Sequence, residues 1–314
     1  MLGGMQDWPL LVWKLIDHAA LNHGSREIVT ALVAGGEAGS NGREVRGRSL
    51  RSAQALSRLG IRIGDRAATL AWNTQRHVEC WYGISGMGAV AHTVNPRLFE
   101  EQIVYIINHA ADRVVFFDLS FVPLVERIAP KLNSVEHYVL MTGREHLPET
   151  SIPSLLAYED LIAASDGDFE WANVDELTPA GLCYTSGTTG NPKGVLYTHR
   201  SNVLHTLGAS SADALGLTSA TSILPVVPMY HANAWGVPYA AAGAGAKLVL
   251  GGAHFDAPTL HGLILREKVT LTAAVPTVWL AMLQHLEKTG EGLGELKRVV
   301  IGGGGGARSD VVGF

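Results

Sequence analysis

The chain has 314 residues, of which 47% are hydrophobic and 17% charged, and its formal net charge is −5. This composition is typical of a globular protein with one large domain or two medium ones, and the acidic balance disfavours a nucleic-acid partner. No uncharged apolar run reaches about 18 residues, so no membrane-spanning helix is predicted. Cys80 and Cys183 lie in separate apolar runs, which favours free thiols and a cytoplasmic location.

Apolar runs of strand length alternate with helical patterns along most of the chain. The first half predicts a helix from near Asp7, and Asn73 as the cap of a later helix. Residues 35–47 show no periodicity and predict an irregular loop. The strands predicted in this half are residues 67–72, 89–94, 113–117 and 137–141. The alternation indicates an α/β fold with stacked, mostly parallel sheets flanked by helices.

A polar, acidic stretch at 143–175 predicts a boundary between two α/β sub-domains, residues 1–175 and residues 176–314. Beyond it the alternation resumes, with strands predicted at 182–184, 222–226, 247–250, 270–275 and 298–301. A helix is predicted at 233–242, between the second and third of these strands. A run of glycines begins at Gly302, where a parallel strand would normally lead into a crossover helix. We therefore expect a fold that is incomplete at its C-terminus.

The strongest motif is the segment 184–195, which reads YTSGTTGNPKGV. It follows a predicted strand and precedes a segment predicted to be helix-like. Its glycines let backbone N–H groups turn inward around an anion, its hydroxyls add donors, and Lys193 adds a positive charge. The order differs from a Walker A loop, in which Gly-Lys is followed by Ser or Thr. The segment therefore predicts a loop that holds ATP phosphates.

This string resembles the phosphate-loop signature of the adenylate-forming, or AMP-binding, superfamily. Segments 70–74, 92–98 and 105–109 resemble signatures of medium- and long-chain fatty-acyl-CoA ligases, so the resemblance implies the large N-terminal domain of that fold. It also implies a two-step reaction. A fatty acid attacks ATP to give an acyl-adenylate and pyrophosphate, and coenzyme A then displaces AMP. The implied cofactors are ATP, Mg²⁺ and coenzyme A, and a homodimer is a possible assembly.

The resemblance assigns roles around the nucleotide. The residues implied to enclose the phosphates are Thr185, Ser186, Gly187, Thr188, Thr189, Gly190 and Lys193. Tyr230 and His231 match the aromatic-histidine pair of the family, which implies that His231, together with Lys193, is catalytic and lies between carboxylate and nucleotide. From spacing alone, a structural histidine is the alternative.

The same resemblance assigns the acyl side of the site. The residues implied to line the acyl pocket, besides His231, are Trp235, Val275 and Pro276. Gly302 and Gly303 are implied to lie against adenine, although the residues after them depart from the family pattern. The small residues of 240–245 either leave room for an alkyl chain or allow close helix packing. For Trp235, a role in the core is the alternative.

Three interpretations stay open because family members continue beyond this length. The sequence lacks their Mg²⁺-binding Glu, their ribose-binding Asp and their C-terminal lid domain, and no residue is assigned as a metal ligand. The chain is therefore an incomplete fatty-acid ligase, a non-catalytic nucleotide-binding remnant, or a ligase for another apolar or aryl acid. The absence of an acidic residue just after His231 disfavours an amino acid substrate. We expect little ligase activity from this chain alone, and self-association through exposed strand edges.

Overall fold

The computed structural model describes residues 3–32, 36–185 and 191–303. The described helices are α1 (Trp13–Asn22), α2 (Gly42–Arg58), α3 (Gln75–Gly86), α4 (Glu100–Ala110), α5 (Val122–Ile128), α6 (Tyr158–Ala163), α7 (His199–Ser210), α8 (Val237–Ala244), α9 (Ala257–Arg266) and α10 (Pro276–Thr289). In the described ranges, no helix has both the length and the apolar character needed to cross a membrane.

The strands are β1 (Glu27–Ala31), β2 (Glu37–Asn41), β3 (Arg66–Leu70), β4 (Val90–Thr93), β5 (Asp112–Phe117), β6 (His137–Leu140), β7 (Leu155–Ala157), β8 (Pro179–Thr185), β9 (Lys193–Thr198), β10 (Ser222–Pro225), β11 (Lys247–Leu250), β12 (Leu271–Ala274) and β13 (Arg298–Ile301). Seven form a sheet in the order β7-β6-β5-β3-β4-β8-β9, and six form a second in the order β13-β12-β10-β11-β1-β2. All pairs are parallel except the hairpins β1–β2 and β8–β9. The prediction of an α/β fold with mostly parallel sheets is confirmed.

Side-chain alternation along the strands sorts the fold into layers. In β5, Val114 and Phe116 join a central core that includes residues of α1, α2, α3, α7 and α8. Val115 and Phe117 point the other way, into a core shared with α4 and α5. The six-stranded sheet alternates in the same manner and packs its outer face against α9 and α10. Successive strand residues face opposite sides, so each sheet is buried between two helical layers.

Three predictions in the first part of the chain were wrong. The first helix begins at Trp13 and not near Asp7. The stretch 35–47 contains β2 and the start of α2, which the lack of periodicity had hidden. Among the strands of the described ranges, this polar edge strand pairs only with β1. The Asn41 side chain caps α2 by accepting bonds from the N–H groups of Arg43 and Glu44. The cap of α3 is Thr74, whose hydroxyl accepts the N–H of His77, and not Asn73.

The two sheets draw strands from both sides of residue 175. β1 and β2 pair into the sheet of the later strands, and β8 and β9 pair into the sheet of the earlier ones. A bridge between Asn73, after β3, and Gly252, after β11, brings the carboxyl ends of both sheets together. The division into residues 1–175 and 176–314 stays a prediction, whereas the common carboxyl edge locates the site.

Candidate active site at the carboxyl edge of the sheets

Three neighbouring strands deliver the predicted acyl-side residues to one place. β13, β12 and β10 are adjacent and parallel, so the segments that follow them leave the sheet at the same edge. Ligands of open α/β sheets bind at this carboxyl edge. The segment after β10 carries His231 and Trp235, the one after β12 begins with Val275, and the one after β13 begins with Gly302.

The segment after β10 contains a left-handed turn. Ala232, Asn233, Ala234 and Trp235 have φ values of 45°, 51°, 46° and 53°, and Gly236 continues at 67°. An L-residue in this conformation costs roughly 1–2 kcal/mol. Four consecutive residues persist there only if their surroundings over-determine the backbone, and such strain is typical of functional sites. The sequence predicted an ordinary helix from Asn233, which is wrong: α8 begins only at Val237.

Hydrogen bonds to distant residues supply the required restraint, and two of them are buried. The Asn233 side-chain oxygen accepts bonds from the Thr93 hydroxyl at 3.2 Å and the Cys183 thiol at 3.1 Å. Because Thr93 ends β4 and Cys183 lies in β8, these bonds tie a turn of one sheet to strands of the other. His205 of α7 donates its Nε2–H to the Trp235 carbonyl at 2.9 Å. The turn is therefore built into the core.

Asn73 holds the chain that leads into the turn. Its amide nitrogen donates to the carbonyls of Pro225 and Val227, both at 2.9 Å, and its oxygen accepts the N–H of Met229 at 2.7 Å. Asn73 is 1% exposed. A buried polar group left without partners costs about 1–3 kcal/mol. One side chain from the seven-stranded sheet thus fixes the path from β10 to His231.

The turn places Trp235 against the end of β13. A Cβ at Gly302 would lie 2.9 Å from the Trp235 ring, and one at Gly303 would lie 3.3 Å from Val275 and 3.9 Å from that ring. Only glycine at position 302 permits this approach without a shift of the ring. The structure therefore brings together Trp235, Val275 and the two glycines. Pro276 begins α10 directly after Val275.

The phosphate-loop motif lies on the hairpin β8–β9. Thr185 is the last residue of β8 and lies opposite Lys193, the first residue of β9, and both side chains are exposed. The predicted residues between them, Ser186, Gly187, Thr188, Thr189 and Gly190, lie outside the described part. The helix predicted after the motif is confirmed as α7, but it is preceded by β9, a strand that the sequence did not predict. The β9 sequence KGVLYT suits a strand because it is rich in β-branched, aromatic and other apolar residues.

His231 follows the Asn73-held segment directly. Its backbone N–H donates to the Pro228 carbonyl at 3.1 Å, and its side chain is exposed. Tyr230 is buried, which raises the pKa of its hydroxyl, and its ring meets Trp72 edge-on at 5.9 Å. The aromatic residue therefore anchors the segment while the histidine faces outward.

The small residues of 240–245 pack helices closely. A Cβ at Gly243 would lie 3.0 Å from the Thr206 side chain of α7 and 3.5 Å from Leu15 of α1. The cavity beside Ala241 and Ala242 has a volume of about 20 Å³, which is room for about one water molecule. Of the two readings of this segment, the contacts of α8 favour helix packing.

Several titratable side chains are buried beneath the hairpin. His92 and Asp112 form a buried pair joined at 2.6 Å, and burial raises the pKa of the Asp112 carboxyl. The Tyr184 ring lies 5.2 Å from that of His92 at a tilted angle. The Tyr184 hydroxyl hydrogen-bonds to His109 at 2.6 Å, and burial raises the pKa of this hydroxyl to about 12. Burial lowers the pKa of His199 to about 4. We therefore expect His199 to be uncharged and structural.

Sequence reasoning missed the side chains that hold the site. Their positions are Asn73, Thr93, Cys183, His205 and Asn233. Asn73 and Thr93 fall within segments that resemble the family, but nothing in the sequence alone pairs them with partners more than 100 residues away. For Cys183, His205 and Asn233 the sequence carried no such signal.

The layered fold and the site at the carboxyl edge of its sheets together indicate the class of protein. A family model described as AMP-binding enzyme matches residues 16–313, and the chain belongs to that family. It has the α/β architecture of the N-terminal domain of adenylate-forming enzymes.

Particular relatives follow from sequence and structure comparison. The 3-methylmercaptopropionyl-CoA ligase of Ruegeria lacuscaerulensis is 50% identical over 303 residues, which are 96% of this chain and 56% of that protein. The medium-chain-fatty-acid–CoA ligase of Ectopseudomonas oleovorans is 48% identical with the same coverage. A long-chain-fatty-acid-CoA ligase structure from Archaeoglobus fulgidus superposes with a TM-score of 0.86 at 22% identity, covering 100% of this chain and 62% of the other. The chain spans about half the length of the curated relatives.

Proposed function

We propose that this chain is the nucleotide- and acid-binding part of an ATP-dependent acyl-CoA ligase. The observation that carries the proposal is the left-handed turn at 232–236, which sets Trp235 against Gly302 and Gly303 while bonding to β8, the strand that ends at the phosphate-loop motif. An acid and a nucleotide must meet for adenylate formation. This turn lies between the two predicted halves of the site.

On the phosphate side, Lys193 and Thr185 face solvent across the mouth of the hairpin, where a polyphosphate has access. Lys193 and Mg²⁺ would neutralise charge as the carboxylate approaches the α-phosphorus of ATP. The carboxylate oxygen bonds to phosphorus and pyrophosphate leaves. The coenzyme A thiol then attacks the acyl carbonyl and releases AMP. His231 is proposed to line the passage between acid and nucleotide.

On the acid side, Trp235, Val275 and Pro276 offer an apolar surface. This favours an uncharged acyl group, and a fatty acid is the proposed substrate, in keeping with the medium-chain relative. A short thioether acid is the second candidate. It is supported by the Ruegeria relative, which is named as a ligase for such an acid.

The test is ATP–pyrophosphate exchange with straight-chain fatty acids of graded length and with 3-methylmercaptopropionate. It is run on this chain and on an extended chain, in which this chain is continued with the C-terminal remainder of the Ectopseudomonas ligase. We expect exchange in the extended chain, and its dependence on the acid identifies the substrate. A folded extended chain that binds ATP without exchange for any acid would contradict the proposal and favour a non-catalytic nucleotide-binding protein.

We propose a cytoplasmic location, because Cys80 and Cys183 are free buried thiols. We also propose that the chain self-associates, because Val195 and Leu196 are exposed on β9, an edge strand. Unpaired strand edges promote pairing with a second copy. Light scattering of the purified chain tests this, and a monomer at all concentrations would contradict it.

A further inference from the structure

A histidine pair and a glutamate converge on the outer helical layer, away from the candidate active site. Nδ1 of His261, in α9, lies 3.2 Å from Nε2 of His285, in α10, and 3.5 Å from a carboxylate oxygen of Glu291. One ligand atom from each residue lies within 4.8 Å of the others. We propose that these three residues bind a divalent transition-metal ion of the zinc class.

The separations fit shared coordination. Zinc–nitrogen bonds of about 2.0–2.1 Å in a tetrahedron place adjacent ligand atoms roughly 3.3–3.4 Å apart. The two distances from His261 Nδ1 lie on either side of that value. Two imidazole nitrogens and one carboxylate oxygen form a donor set that suits zinc, cobalt, nickel or copper, and not magnesium or calcium.

The tautomer of His261 leaves its Nδ1 atom able to bind a metal ion. Its Nε2 lies 2.9 Å from the Gly292 carbonyl, which can only accept, so Nε2 carries the hydrogen. In the neutral ring this leaves the Nδ1 lone pair directed at His285 and Glu291. A ligand histidine usually donates its other N–H to a carbonyl or carboxylate in this way. His261 is 3% exposed, so this orientation is held by packing.

The turn after α10 brings Glu291 close to His261 and His285. α10 ends at Thr289, and the φ of 70° at the next residue, Gly290, turns the chain back toward α9. The Thr289 hydroxyl donates to the His285 carbonyl and accepts the N–H of Glu291. Glu291 is exposed, so a water molecule can complete a fourth position. Three protein ligands and one open position are a common zinc arrangement.

The cluster lies far from the candidate active site along α10. Nine residues separate Pro276 from His285, which is about 14 Å of helix. A bound ion would therefore link the middle of α9 to the C-terminal part of α10 without touching the acid or nucleotide. The proposal does not depend on ligase activity, since it can be tested on the chain when no acid is activated.

The experiment titrates untagged, metal-free protein with Co²⁺, followed by its visible absorption, and then displaces Co²⁺ with Zn²⁺. We expect one ion per chain and at least a tenfold weaker affinity in His285→Ala and in Glu291→Gln. Zinc should also raise the melting temperature of the wild type and not of Glu291→Gln. His254→Ala and Glu287→Gln, which change exposed residues outside the cluster, are the matched controls and should bind as wild type does.

Two results would overturn the site. One is the absence of one-to-one binding to wild-type protein. The other is binding that His285→Ala and Glu291→Gln weaken no more than the control variants do. Because Glu291 is exposed, its variant is expected to fold normally, and circular dichroism of each variant separates lost ligation from lost structure.

Discussion

The turn at 232–236 and the hairpin β8–β9 contribute to the same candidate site in opposite ways. Asn233 and Ala234 are buried, and the turn keeps a strained backbone through bonds to β4, β8 and α7. The first four residues of β9, including Lys193, are exposed at a sheet edge. The acyl side of the site is thus part of the core, whereas side chains on the phosphate side can be substituted without disturbing the core.

The largest expected effect on stability comes from replacing Asn73, whose side chain holds the segment that leads into the turn. Asn73→Ala removes three hydrogen bonds and leaves buried backbone groups without partners, so we expect a loss of about 3 kcal/mol in unfolding free energy. Urea denaturation measures it, with the exposed Asn173→Ala as the control. Equal midpoints for the two variants would show that the turn is not held through Asn73.

A second effect concerns the base of the hairpin. His199 follows β9, is fully buried, and accepts the N–H of Val12 at 3.2 Å. Its pKa of about 4 lies below the unfolded value of 6.5, so its contribution is complete above pH 6.5 and is lost as pH falls toward 4. Wild type should lose roughly 2 kcal/mol more than His199→Gln between pH 7.5 and 5. Parallel pH profiles of the two proteins would contradict this.

Glycine substitution distinguishes the turn from an ordinary helix. Ala232 has a left-handed backbone with φ of 45°, and glycine adopts this conformation without strain. In Ala232→Gly, stability should therefore stay the same or rise by up to about 1 kcal/mol. Ala242→Gly, in α8 and similarly half-buried, should cost about 1 kcal/mol. Thermal unfolding compares them. If both lose stability equally, the turn is not strained in solution.

The smallest effect on folding is expected at the hairpin tip. Lys193→Ala should change unfolding free energy by less than about 0.5 kcal/mol because the side chain is exposed. In the extended chain it should weaken ATP binding at least tenfold by calorimetry, with the exposed Lys288→Ala as the control. Unchanged ATP affinity would remove Lys193 from the phosphate site.

Much of this architecture could be predicted because burial leaves a periodic pattern. Apolar runs such as 113–117 and 298–301 located strands within a residue or so, since parallel strands covered on both faces are continuously apolar. β2 was missed because an edge strand with polar residues lacks that pattern.

The site was predictable only in part. The motifs identified Trp235, Val275, Gly302 and Gly303, which the structure brings together. The left-handed turn was not predictable, because Ala-Asn-Ala-Trp has no glycine and the bonds that impose its backbone come from distant strands. His261 and His285 were missed as a pair for a similar reason, since they lie on separate helices.

The most direct test of the central claim is a double-mutant cycle between Gly302 and Trp235, measured by ATP–pyrophosphate exchange in the extended chain. Gly302→Ala places a methyl group against the Trp235 ring and should reduce exchange at least tenfold. If that contact organises the acyl side, Gly302→Ala should cost nothing further once Trp235→Ala has removed the ring. Losses that simply multiply in the double variant would contradict the account.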